Sequence, residues 1–420
     1  MTTSNPSPLP ILLLAVTLVL AGAAPAQAQV LDRVAGLGGG QVPQIRMPRL
    51  PAIAPVPRVD RLLRDPLNVT RQLQIDRLLR DEPRRVDVDP QGAPVLRGEF
   101  LAFDVSPAQL GVLQALGFSV DHRSPADTLP GLDVVVLHDT DARSPRNAMR
   151  VLQQAAPEAT FAYQHLFLPA GPDAIAGDDA DSPIAPDPPA AAPRRIGLVD
   201  GGVDAADPAL ARADLQRQGC TKGATTTSRH GTAVAARLVN GDPDTLYAAD
   251  LWCGDPVGGA TSQLIDALAW MAREQVPVIN ISLVGPDNPA LARAVRAMLA
   301  RGHVLVSAVG NDGPAAPPLF PAAYPGVIGV SGVDARDRIL VESGSGDQVD
   351  FSASGIVGTG RAALRGTSFA APVVARLAAQ LIDAPRAGAA AMVQQQLARQ
   401  ARDLGRPGRD PRYGDGLLGP

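Results

Sequence analysis

The stretch VPVINISLV, residues 276–284, decides how the rest of the chain is read. It is apolar and β-branched almost without a break, and its polar residues, Asn280 and Ser282, do not make one whole side polar. Such a strand needs apolar cover on both faces, which a parallel sheet between two helix layers provides. Three further runs share the pattern: IGLVD at 196–200, HVLVSAVG at 303–310 and GVIGVSGVD at 326–334. Between them stand Ala-rich segments of helical period, TAVAARLVNG at 232–241, TSQLIDALAWMARE at 261–274 and PALARAVRAMLARG at 289–302. The alternation predicts an α/β domain over 194–420, a mostly parallel doubly wound sheet with helices on both faces. In such sheets ligands gather beyond the carboxyl ends of the strands, which singles out Asp200, Asn311 and the turn after Leu283.

Upstream, residues 95–168 change pattern. VLRGEFLAFDV reads as a strand, SPAQLGVLQALG as a helix with Ser106 at the N-cap and Pro107 in its first turn, and FSVDHR and LDVVVLHD as two strands. SPRNAMRVLQQAAP repeats the Ser-Pro helix start and ATFAYQHLFL closes with a strand. The order β-α-β-β-α-β predicts a small α+β ferredoxin-like module. His138, Asp139 and Asp141 are read as a polar loop capping the helix at Ser144, not as a metal site. Residues 169–193, rich in Pro, Ala and Asp without periodicity, read as a linker. Residues 29–94 are Arg- and Pro-rich and read as a mobile arm with transient helices. The arm carries a repeat, VDRLLRD at 59–65 and IDRLLRD at 75–81, whose Leu62-Leu63 and Leu78-Leu79 could line short amphipathic helices.

Residues 1–28 read as a secretory signal. The apolar run Ile11–Ala24 is short for a membrane span and leads to Ala26-Gln27-Ala28, an A-x-A cleavage site. Export to the periplasm or beyond follows, with no stable membrane span after cleavage. Cys220 and Cys253 fit an oxidising compartment, where an even pair is bridged and closing the loop stabilises the fold by about 3 kcal/mol; two buried free thiols are the alternative. A net charge of -4 offers no basic field, which argues against nucleic acid as a partner.

Three residues carry the chemistry. Asp200 ends a strand and precedes the tight turn Gly201-Gly202, His230 sits in SRHGTAVAAR at a helix start, and Ser368 opens a helix in GTSFAAPVVA. A serine hydroxyl becomes a nucleophile when an imidazole takes its proton and a carboxylate orients the ring. The helix start adds unpaired N–H groups and a positive dipole end. Asn311, in SAVGNDGP, could supply a side-chain amide to the same oxyanion. Each residue alone has an ordinary reading as a cap or a turn. Their order, Asp, His, Asn, Ser, each at the end of an element, is what gives them weight.

VDGGVDAADPAL, HGTAVAA, VINISLVGP, SAVGNDGP and GTSFAAPVVA together resemble the subtilisin-like serine proteases, peptidase family S8, over residues 194–420. The resemblance implies a triad of Asp200, His230 and Ser368, and an oxyanion hole made by Asn311 and the Ser368 N–H. It further implies a substrate cleft lined by Ser282, Leu283, Val284, Gly285, Ala308, Val309 and Gly310. Many of these proteases carry a ferredoxin-like propeptide that assists folding and blocks the cleft, which would make the 95–168 module an intramolecular inhibitor whose last strand reaches toward Ser368. Two features depart from the family's pattern. Gly201 stands where Ser or Thr is usual, and little chain separates Asp200 from His230 or Asn311 from Ser368, which puts the family's calcium sites in doubt. No metal or cofactor is expected. Asn280-Ile281-Ser282 and Asn68-Val69-Thr70 are glycosylation sequons on paper, the former read as a buried strand residue.

The reading is an exported, monomeric serine endopeptidase made as a zymogen, acting on protein or peptide substrates with broad or apolar preference. A catalytically silent binding module of the same fold is one alternative. A serine esterase of the α/β-hydrolase kind is another, but that fold wants Ser before Asp before His and a G-x-S-x-G elbow, whereas here the order is reversed and Ala370 replaces the last Gly.

Overall fold

The structure is a computed structural model that describes residues 69–123, 129–170, 174–175, 192–220, 226–358 and 363–420. The secretory signal, the first RLLRD copy and most of the 169–193 linker lie outside the described residues. Among the described residues no helix is long and apolar enough to cross a membrane.

Helix α1 (Val69–Asp81) and strand β1 (Val86–Val88) come first, followed by β2 (Pro94–Phe103), α2 (Pro107–Ala115), β3 (Phe118–Arg123), β4 (Val135–Asp139), α3 (Pro145–Ala155) and β5 (Thr160–His165). The strands from β2 on pair antiparallel in the order β5-β2-β4-β3, the arrangement of a ferredoxin-like unit. The Ser-Pro start of α2 closes a capping box, with Ser106 accepting from the Gln109 N–H and Gln109 accepting from the Ser106 N–H. The second Ser-Pro start differs from expectation. Ser144 occupies the N-cap of α3 without a side-chain bond, and the loop is held instead by Asp139, which accepts from the Arg143 backbone and guanidinium.

Residues 69–88 also depart from the expected mobile arm. Ile75, Leu78 and Leu79 fall on one side of α1, Ile75 is buried, and β1 pairs with β2, so this end of the arm finds apolar cover and a ladder.

Strand β2 shows why the module sits where it does. Phe100 and Ala102 face the module's own helices with Leu110, Leu113 and Leu152. Leu101 and Phe103, on the other face, join a core with Leu264, Leu268, Leu291 and Val295 of the larger domain. Burying a side chain of this size contributes about 1.5–3 kcal/mol, so a strand apolar on both faces commits the module to a partner surface.

After β5 the chain makes β6 (Leu168–Pro169) and β7 (Ala174–Ile175). The larger domain then contributes β8 (Arg195–Asp200), β9 (Asp214–Gln218), α4 (Arg229–Val239), β10 (Thr245–Asp250), α5 (Thr261–Arg273), β11 (Val278–Ile281) and β12 (Leu283–Val284). It continues with α6 (Pro289–Ala300), β13 (Val304–Ala308), β14 (Ile328–Val333), β15 (Phe351–Ser354), β16 (Ile356–Val357), β17 (Leu364–Arg365), α7 (Thr367–Ala378) and α8 (Ala389–Gln400). Seven of these strands form one parallel sheet in the order β15-β14-β13-β11-β8-β10-β9. Strand alternation splits the core in two. Val304 and Val306 face α4, α7 and α8 with Val234, Phe369 and Val393, while Leu305 faces α5 and α6. The strand order reverses between β8 and β11, and ligands gather beyond the strand ends at such a switch point.

Candidate active site

Asp200 is the last residue of β8 and is buried. Its Oδ1 accepts from the Gly201 N–H at 2.6 Å and meets His230 Nδ1 at 2.9 Å. An ionised carboxylate can only accept, so Nδ1 donates to it. Asp200 Oδ2 has no hydrogen-bond partner among the described residues. His230 lies in the first turn of α4, where the N-cap Ser228 accepts from the Gly231 N–H at 3.2 Å. A Cβ on Gly201 would come within 2.9 Å of the Ser228 side chain, so Ser228 fills the room that a hydroxyl residue at 201 would need.

Ser368 is the second residue of α7 and is also buried. Its Oγ donates to the Ser282 carbonyl at 3.4 Å, and Ser282 Oγ donates back to the Ser368 carbonyl at 3.1 Å. That carbonyl is available because Pro372, four residues on, has no N–H to give it. Pro372 is therefore the sixth residue of the helix and in its second turn, and its missing donor serves the contact with Ser282. Asn280 Nδ2 donates to Ser282 Oγ at 2.9 Å, and Asn280 is fully buried, as its place in a central strand requires, out of reach of glycosylation. The ring of Phe369, next to Ser368, lies 5.2 Å from that of His230. Arg237 of α4 donates to the Phe369 carbonyl at 3.4 Å and the Ser354 carbonyl at 2.8 Å, tying the two helices together, and burial pushes its guanidinium down to about 10.

Asn311 and Thr367 join the end of β13 to the mouth of α7. Asn311 Oδ1 accepts from the Thr367 N–H at 3.0 Å, and Thr367 Oγ1 accepts from the Gly310 N–H at 3.2 Å. The Asn311 Nδ2 then lies over Gly366, where an added Cβ would come within 2.6 Å of it. Gly366 also has φ 147°, so residue 366 must lack a side chain on two counts.

Leu283 and Val284 pair antiparallel with Pro169 and Leu168 of the chain itself. The opposite edge of the same segment is held by a Leu166–Ala260 bridge and by the Phe167 N–H on the Gly259 carbonyl at 2.8 Å. Residues 166–169 thus form the middle strand of a three-strand groove. Carrying the register one residue further sets Ala170 opposite Ser282, the residue whose carbonyl holds the Ser368 hydroxyl. Gly285 fits under the fully buried Phe167, where an added Cβ would come within 2.7 Å of the ring. Ala174–Ile175 then pairs with Leu364–Arg365, just ahead of Ser368. Ala308 shares one buried cluster with Val284, Ala170 and Phe369, whereas the Val309 side chain packs with Ala322 and Val349.

Sequence reasoning missed three parts of this site. Gly259 and Ala260 form the second wall, and their signal was the Gly258-Gly259 pair before a helix. Asn288, the N-cap of α6, donates to the Tyr163 carbonyl at 2.9 Å and meets His165 Nδ1 at 3.0 Å, while His165 Nε2 meets Asp89 Oδ2 at 3.0 Å. Asp312 pairs with Arg71 of α1 at 2.9 Å. Cys220 and Cys253 are joined by a disulfide with Cα atoms 5.5 Å apart.

The sequence of the larger domain matches the Subtilase family, peptidase S8, over residues 194–416. Minor extracellular protease Epr of Bacillus subtilis (strain 168) is 28% identical over 240 residues, a match that spans 53% of this chain and 37% of Epr. Subtilisin DY of Bacillus licheniformis is 29% identical over 250 residues, 53% of this chain and 88% of that protein. Among solved structures, fervidolysin from Fervidobacterium pennivorans, a keratinolytic enzyme related to subtilisin, aligns at a TM-score of 0.61 and 18% identity over 79% of this chain and 61% of that one. That last likeness is one of fold.

Proposed function

The chain belongs to the Subtilase family, and from that premise we propose that it is an exported serine endopeptidase made as a zymogen. Ser368 Oγ turns from the Ser282 carbonyl to His230 Nε2 and attacks the carbonyl carbon of a peptide bond as its proton passes to the imidazole. Asp200 holds the Nδ1–H and stabilises the imidazolium. The oxyanion takes hydrogen bonds from the Ser368 N–H and Asn311 Nδ2. The C–N bond then breaks as the imidazolium proton passes to the leaving amine, and water, activated by the same imidazole, hydrolyses the acyl-enzyme.

The observation that carries this reading is the self-complementary groove. Extended chain at 166–169 lies between two strand edges with Ala170 opposite Ser282, which is how a peptide substrate would be presented to Ser368. Because the occupant is the chain's own, the ferredoxin-like module acts as an inhibitor until the bond after Ala170 is cut and the module released. The A-x-A site at Ala26–Ala28 and the disulfide fit export.

Full-length wild type and Ser368→Ala are the test. The wild type should convert to a shorter form and hydrolyse a casein-derived peptide, while the variant stays full length and inactive. Processing and hydrolysis by purified Ser368→Ala at the wild-type rate would overturn the reading.

A further inference from the structure

We propose that helix α1 is a second inhibitory element, outside the ferredoxin-like module, that locks residues 166–170 into the groove and must let go before a substrate can enter. This rests on the peptidase reading of the groove. The module's own core, built on Phe100, Leu110, Leu137 and Leu152, contains no residue of α1, so the helix is not needed to complete that fold.

Besides Val86 of β1 and Leu96 of β2, α1 touches the groove and its two flanks. At its start, Arg71 Nε lies 2.9 Å from Asp312 Oδ2, and Asp312, only 6% exposed, directly follows Asn311. Near its end, Leu78 and Leu79 pack against Leu166, Val257 and Ala260. Leu166 is in the groove segment itself, and Ala260 is on the wall it bridges. Beyond the helix, Arg85 donates to both carboxylate oxygens of Asp255, at 2.9 and 2.5 Å, in the loop that leads to that wall.

The dimensions agree. From Arg71 to Leu79 the helix rises about 12 Å at about 1.5 Å per residue. Three adjacent strands span about 10 Å from edge to edge at about 4.8 Å spacing. The helix is long enough to cross the groove strand from the Asn311 side to the Ala260 side. Cutting the chain after Ala170 would leave this strap in place, so covalent processing and opening of the groove become separate events.

The strap is tested with Arg71→Glu and Leu78→Asp in the full chain, two changes at opposite ends of α1. In the active chain, the lag before peptide hydrolysis begins should shorten about two- to fivefold in each variant, the scale of losing one partly exposed ion pair, while kcat/KM of the fully matured enzyme stays at the wild-type value. In a Ser368→Ala background, where no cutting occurs, amide hydrogen exchange at Leu166, Phe167 and Leu168 should quicken in both variants while exchange in β13 and β14 is unchanged. A wild-type lag together with wild-type protection at 166–168 in both variants would overturn the strap. If the peptidase reading alone fails, wild type shows no hydrolysis at all but the exchange result stands, so the two failures are distinguishable.

Discussion

Ser368 is set up by its neighbours more than by its own position in α7. Its carbonyl is freed by Pro372 and claimed by Ser282, its hydroxyl rests on the Ser282 carbonyl, and the next ring packs on His230. The amide of Asn311 is aimed in the same way, by the Thr367 N–H on its oxygen and by the absence of a side chain at Gly366. Asn311→Ala should therefore lower kcat by about 10²–10³ with little change in KM, the mark of a donor used only in the transition state. Gly366→Ala should approach the same loss, because its Cβ displaces the amide. Steady-state kinetics check both, and an equal rise in KM would assign Asn311 to ground-state binding. At this scale Asp200, His230, Asn311 and Ser368 were legible in the sequence because each closes or opens a strongly patterned element. Asp312 was not, since nothing near it in the chain announces a partner 241 residues away at Arg71.

The elements meet at one buried polar cluster, where the turn after β1, the end of β5 and the N-terminus of α6 supply Asp89, His165 and Asn288. Burial pushes the Asp89 carboxyl up, but the hydrogen bonds from His165 and from the Ala93 and Gln91 N–H groups outweigh it and hold the carboxyl below the usual carboxylate range. A depressed folded-state value favours the folded form wherever the unfolded carboxyl would be ionised. The contribution is complete above about pH 4 and is lost as pH falls through the depressed value. Full-length Ser368→Ala should lose urea stability as pH falls below about 4, and adding Asp89→Asn should both lower stability at pH 7 and flatten that acid limb. Identical acid limbs with and without Asp89→Asn would remove Asp89 from the account. The helices and strands at this junction were legible from their period, and the Ser106 capping box from its sequence. The arm was not. RQLQIDRLLRD alone has an apolar stripe too narrow to fold unaided, and it becomes helix α1 through Leu166, Val257 and Ala260, contacts no local pattern announces.

At the scale of the whole molecule, two domains share one apolar layer, with Leu101 and Phe103 of the module packed in the same core as the α5 and α6 side chains. The run EFLAFDV already carried this signal, since a strand apolar on both faces cannot have a wet side. The sheet order and the crossing of the groove by residues 166–169 required the structure, because register between segments over 100 residues apart has no local signature. On the proposed reading Ser368 is the nucleophile. The most direct test is to react the matured protein with a fluorophosphonate and map the adduct by peptide mass spectrometry. One modified residue, Ser368, is expected, with labelling lost when the matured protein is denatured before reaction. A folded, matured protein that takes no label, or takes it on another serine, would contradict that reading.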